Sequence, residues 1–244
     1  MRMPKFSLSI TRLVAAGLLL PGLILASEPP KRTPESAITP CPLVPKHEDI
    51  LNAIKAQAKT PIDLVFFGDS ITDFWPGQGP DSWKKMAPYH PADFGVSSER
   101  TEHMLWRLEH GELENIHPKV FVIMAGTNNL GHWMEETPEY AAAGITAIVK
   151  LVHQKLPDTT ILLLGIFPRD NKTDSMRGRV ATVNEIISHL ADGKKIRYMD
   201  LKDKFLDANG NLLPGAFRDG LHPTAAGYEI WYDAIQPTLD QLMK

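Results

Sequence analysis

The sequence predicts an α/β fold, a layered sandwich built on a five-stranded parallel sheet. Three observations carry this expectation. Five short apolar runs recur along the chain and are continuous rather than alternating, as in strands covered on both faces. Segments with helical spacing separate them, the alternation that winds helices onto both sides of a parallel sheet. Side chains able to act on a carbonyl follow the strands, where ligands of such sheets bind.

Taken in order, Ile50, Leu51 and Ile54 give residues 47–58 helical spacing. The first strand covers 63–67 and runs into Gly68-Asp69-Ser70. A weaker second strand, 92–96, leads through Gly95-Val96-Ser97 into a helix over 99–109, with Met104, Leu105 and Leu108 on one side. The run KVFVIM, 119–124, is a buried strand followed by Gly126-Thr127-Asn128-Asn129. Helix 138–156 spaces Ala141, Ile145, Ile148, Val149 and Val152 for one face and has Pro138 near its first turn. The fourth strand, 160–166, precedes Phe167-Pro168-Arg169. A helix over 174–191 and a fifth strand, 196–199, follow. The loop Asp219-Gly220-Leu221-His222-Pro223 then opens a terminal helix, 224–243, with Pro237 as a candidate interruption.

The composition, 43% hydrophobic and 23% charged over 244 residues, is that of a globular domain. A net charge of -3 and the lack of any Lys/Arg-rich block provide no field for nucleic acid. Arg2, Lys5 and Arg12 precede the apolar run LVAAGLLLPGLIL and then Ala26-Ser27, which reads as a secretory signal peptide over residues 1–26. The expected location is therefore secreted or periplasmic, without stable membrane insertion of the mature chain. An uncleaved anchor is the competing reading, but the run is short and contains Pro21. Cleavage would take the net charge to about -6. Proline-rich residues 27–46 read as an extended or disordered lead-in, leaving 47–244 as the domain. Cys41 has no partner for an intrachain disulfide and lies too far downstream for lipid attachment. No His-Glu-x-x-His or paired-cysteine pattern supports a metal site, and no cofactor is expected. His103, His110 and His117 read as a surface or half-buried stripe.

Two readings stand for each site residue. Ser70 is a helix cap or a nucleophile, and a serine hydroxyl attacks only when a base takes its proton. His222, three residues after Asp219, is that base with its orienting acid, or part of an ordinary turn. Gly95 and Asn128 are turn and loop residues, or donors of a backbone N–H and a side-chain amide to an oxyanion, alongside the Ser70 N–H. Asp69 reads as a supporting turn residue. Asp73, Phe74, Trp75, Trp133 and Arg169 either shape a substrate pocket or pack locally. Trp106 and Arg107 stand equally open.

At these residues the chain resembles the SGNH/GDSL hydrolase superfamily. GDSIT is similar to its nucleophile block, the segment with Gly95 to its glycine block, GTNN to its asparagine block and DGLHPTAAGY to its acid–base block. Within the superfamily, HMLWRLEHGELE and PKVFVIMAGTNN look most like the platelet-activating-factor acetylhydrolase catalytic-subunit branch. The resemblance covers about residues 47–242. It implies a flavodoxin-like three-layer sandwich and metal-free hydrolysis of short acyl esters by Ser70, Asp219 and His222, with Ser70, Gly95 and Asn128 as oxyanion hole. An acetylated carbohydrate or a lipid like platelet-activating factor is a target by analogy, and a homodimer rests on analogy alone. A lysophospholipase or thioesterase, and a non-catalytic glycan-binding descendant, are the alternatives. An ordinary α/β-hydrolase elbow is excluded because GDSIT lacks the second glycine.

Overall fold

The structure is a computed structural model and describes residues 31–57, 59–132, 136–170 and 175–244. The expected signal peptide and Trp133 lie outside the described residues.

Strands β1 (Leu64–Gly68), β2 (Pro91–Gly95), β3 (Val120–Met124), β4 (Thr160–Leu164) and β5 (Ile196–Met199) form one sheet. Their order is β2-β1-β3-β4-β5, and every neighbouring pair is parallel. This is the flavodoxin-like order, whose switch point lies between β1 and β3. Side chains alternate across it, as the period of a strand requires. Val65, Phe67, Phe121, Ile123, Ile161 and Leu163 pack with the apolar faces of α1 (His47–Ala56), α5 (Thr101–Arg107), α7 (Pro138–Lys155) and α8 (Ser175–Ser188). Leu64, Phe66, Val120, Val122, Leu162 and Leu164 pack instead with Trp75, with Phe205 of α9 (Lys202–Phe205) and with Tyr228, Trp231, Ile235 and Leu239 of α10 (Ala225–Leu242). Three layers result, with the expected elements in the expected order.

Three departures are physical. Between β1 and β2 lie three short helices, α2 (Ser70–Asp73), α3 (Trp75–Gln78) and α4 (Pro80–Lys85), where the sequence offers no periodicity because Pro76, Gly77, Gly79 and Pro80 interrupt it. Pro237 does not break α10; the hydrogen bond it removes is offset by burial of Ile235 and Leu239 on either side.

The third departure concerns the proline-rich stretch. Residues Lys31–Lys244 form one compact unit, so its described part is bound to the domain and is not a free lead-in. Arg32 pairs with Glu102 and Glu136, the Ala37 carbonyl accepts from Thr101 Oγ1 at 2.8 Å, and Cys41 N–H donates to the Glu102 carbonyl at 3.1 Å. Ala37 is fully buried. Lys46 ends the stretch between Asp73 and Asp93, with its Nζ 2.7 Å and 2.5 Å from their oxygens.

Candidate active site

β1 ends at Gly68 because the chain must turn there under α2. A Cβ on Gly68 would lie 2.3 Å from Thr72 Oγ1 and 2.6 Å from the Met124 carbonyl oxygen. The cap of α2 is Asp69, whose carboxylate accepts the Ile71 N–H at 3.0 Å. Ser70 is therefore the first helical residue and is relieved of capping. Its Oγ meets His222 Nε2 at 3.0 Å.

His222 comes from the loop before α10, which Thr224 caps by accepting the Gly227 N–H at 3.2 Å. Asp219 shapes that loop. Its Oδ1 accepts the backbone N–H groups of Leu221, at 3.1 Å, and His222, at 2.7 Å, while its Oδ2 meets His222 Nδ1 at 2.7 Å. Gly220 takes φ 76, a left-handed conformation that favours glycine. Partial burial pushes the Asp219 carboxyl up, but the N–H donors and the His222 ring outweigh it and hold the group down at about 2. The carboxylate stays ionised above mildly acid pH and fixes the ring with Nε2 toward Ser70.

Asn128 stands on α6 (Thr127–His132), just past β3 and across the switch point from Ser70. One N–H of its amide donates to the Glu99 carbonyl at 2.8 Å; the other has no partner among the described residues. Two structures fix this pair, and the sequence showed neither. Arg169 Nη1 holds the Thr127 Oγ1 at 3.0 Å, so Arg169 braces the asparagine turn. Beneath Glu99, fully buried Arg107 donates from Nε and Nη2 to the Glu99 carboxylate at 2.8–2.9 Å and from Nη1 to Glu112, which also meets His47 Nδ1 at 2.7 Å. Trp106 stacks on His110, with ring centroids 4.1 Å apart. Trp106 and Arg107 thus pack the fold, as does Trp75, which is buried and stacked on Trp231 at 4.2 Å. Phe74 does reach the site, its ring centroid 5.4 Å from that of His222.

Gly95 needs a correction. Along a strand, successive N–H groups point to opposite sides. Val96 N–H points to β1 and donates to the Gly68 carbonyl at 3.0 Å, so Gly95 N–H faces the free edge, where Asp93 Oδ1 accepts it at 2.8 Å. It is not aimed at Ser70 Oγ. What Gly95 provides is space: a Cβ there would lie 2.3 Å from Asp73 N and 2.8 Å from Asp73 Cα. The turn that follows carries Ser98 at φ 67, with its N–H unpartnered among the described residues.

Among the described residues, no counter-ion touches buried Asp69. Burial pushes its carboxyl up to about 7, against the Ile71 N–H and the more distant Arg169 charge.

The family model of GDSL-like lipases and acylhydrolases matches residues 66–230. The chain belongs to this family. It is accordingly a carboxylic ester hydrolase. It is 37% identical over 184 residues to platelet-activating factor acetylhydrolase IB subunit alpha2 of Rattus norvegicus, covering 75% of this chain and 78% of that protein. With subunit alpha1 of Homo sapiens it shares 35% identity over 183 residues, covering 74% and 77%. Among solved structures, a GDSL-like lipase from Bacteroides thetaiotaomicron superposes with TM-score 0.63 at 22% identity, over 79% of this chain and 98% of that one. A mutant acetyl-xylooligosaccharide esterase from Geobacillus Stearmophilus gives 0.59 at 20%, over 75% and 94%. These two likenesses are of fold.

Proposed function

We propose that this chain is an exported serine esterase that removes short acyl groups, acetyl foremost, through an acyl-enzyme on Ser70. The observation that carries the reading is the unbroken chain from Ser70 Oγ to His222 Nε2 and from His222 Nδ1 to Asp219 Oδ2. His222 takes the Ser70 proton as Oγ attacks the ester carbonyl, and Asp219 stabilises the imidazolium that forms. The oxyanion is held by the Ser70 N–H, the second N–H of Asn128 and the Ser98 N–H, while Gly95 lets α2 approach β2. The leaving alcohol takes the proton from His222 and departs. Water, deprotonated by His222, then releases the acyl group.

Two supports bear on the acyl group and alcohol. The curated relatives are named for platelet-activating factor, which favours an acetylated lipid; the leader expected at residues 1–26 favours an extracytoplasmic ester such as an acetylated carbohydrate. The test is a panel of p-nitrophenyl esters graded from acetate to long acyl chains, run beside an acetylated oligosaccharide and an acetylated ether phospholipid. Acetate is expected to lead, with Ser70→Ala and His222→Ala inactive. Full activity in Ser70→Ala contradicts the reading, and a preference for long chains shifts it to a lysophospholipase. N-terminal sequencing of the exported protein checks the cleavage site.

A further inference from the structure

Resting on that esterase reading, we propose that Arg218 is a specificity-determining residue that selects esters carrying an anionic group beside the scissile bond. Arg218 precedes the proposed acid, and its Nε lies 3.4 Å from Asp219 Oδ2. That contact is long and Asp219 does not need it, because three shorter hydrogen bonds from His222 and Leu221 already hold the carboxylate. The guanidinium instead lies over the Phe74 ring, 5.1 Å from its centroid, and Phe74 in turn faces His222. Phe74 therefore contacts both a cation and the proposed base.

The backbone fixes this row. Arg218 N–H donates to the His222 carbonyl at 3.0 Å, and Phe217 pairs with Pro223 across the loop. The Arg218 backbone is thereby tied to the loop that positions His222. Its two terminal amino groups have no hydrogen-bond partner among the described residues, and the side chain is 41% exposed. The other cations near the site are engaged: Arg169 by Asp170 and Thr127, Lys46 by Asp73 and Asp93. An exposed fork of N–H donors matches a carboxylate or phosphate oxygen pair.

The experiment compares 4-acetoxybenzoate with its methyl ester, two acetates of similar shape that differ in charge. The ratio of kcat/KM for the anionic over the neutral ester is expected to fall about tenfold in Arg218→Gln, the size of one charge-assisted hydrogen bond. Arg218→Lys should restore part of it, since the charge remains but the fork does not. Raising NaCl from about 0.05 M to about 0.5 M should lower the ratio in the wild type and leave it flat in Arg218→Gln. An equal ratio in wild type and Arg218→Gln, or a wild-type ratio insensitive to salt, overturns the role of Arg218. Failure of the wild type to turn over either ester overturns the esterase reading itself, a separate result.

Discussion

Gly95→Ala separates two accounts of the glycine block. If Gly95 acted through its N–H, alanine would keep that donor and the enzyme would work. The structure demands the opposite. The new methyl would lie 2.3 Å from Asp73 N and 2.8 Å from both Asp73 Cα and the Thr72 carbonyl carbon, all of them backbone that no rotamer change can move. Ordinary contact at more than 3.4 Å needs a retreat of about 1 Å by α2, which carries Ser70. Overpacking of this kind costs about 1–3 kcal/mol, or roughly 3–10 °C in Tm for a domain of this size. A nucleophile displaced by about 1 Å loses on the order of a hundredfold in kcat. Thermal unfolding and p-nitrophenyl acetate kinetics on the same preparation measure both. A Gly95→Ala protein with wild-type Tm and kcat would refute the steric account.

Other perturbations reach other parts of the site. Asp219→Asn removes the charge that orients and stabilises the His222 ring and should lower kcat by about three to four orders of magnitude near neutral pH, read by steady-state kinetics. Because Asp219 is held at about 2, the acid limb of the wild-type pH–rate profile should not arise from it. Asp69 is raised from 3.8 to about 7 in the fold, so the folded state binds more protons between those values and stability falls as pH rises through that window. The full effect is on the order of 4 kcal/mol; Asp69→Asn keeps an acceptor for Ile71 N–H and should flatten urea-unfolding stability between pH 5 and pH 8, and an unchanged slope would contradict it. Lys46→Met leaves the Asp73 and Asp93 carboxylates facing each other without their shared ammonium, while Asp73 still holds Ser97 Oγ at 2.5 Å. Tm and kcat should both drop, with Lys46→Arg recovering most of each.

Local signals in the sequence carried much of this. Continuous apolar strands and amphipathic helices identified the layers, and residues at strand ends identified Ser70, Asn128 and the Asp219–His222 loop. Ser70, His222 and Asp219 lie in hydrogen-bond contact, in a row from Ser70 Oγ to Asp219 Oδ2. What the sequence hid depends on direction and on distant partners. Whether Gly95 N–H faces the site follows from β2 being an edge strand, a property of sheet order. Arg107 and Trp75 look like site residues in a motif, and only burial shows them packing the fold. The proline-rich stretch lacks periodicity, yet Arg32 and Lys46 find carboxylates far along the chain. Asp69 looked like a turn residue and is one, but its depth of burial, and so its raised pKa, is a tertiary fact.

The most direct measurement is peptide mapping by mass spectrometry of the full-length enzyme quenched in acid during turnover of an acetate ester. The account predicts a 42-dalton acetyl adduct on Ser70, roughly the mass of one acetyl group replacing a proton. It should be absent in Ser70→Ala and should build up in a variant that acylates faster than it releases the acyl group. Turnover at the wild-type rate in Ser70→Ala, or an acetyl adduct on another residue that rises and decays at the rate of turnover, would contradict it.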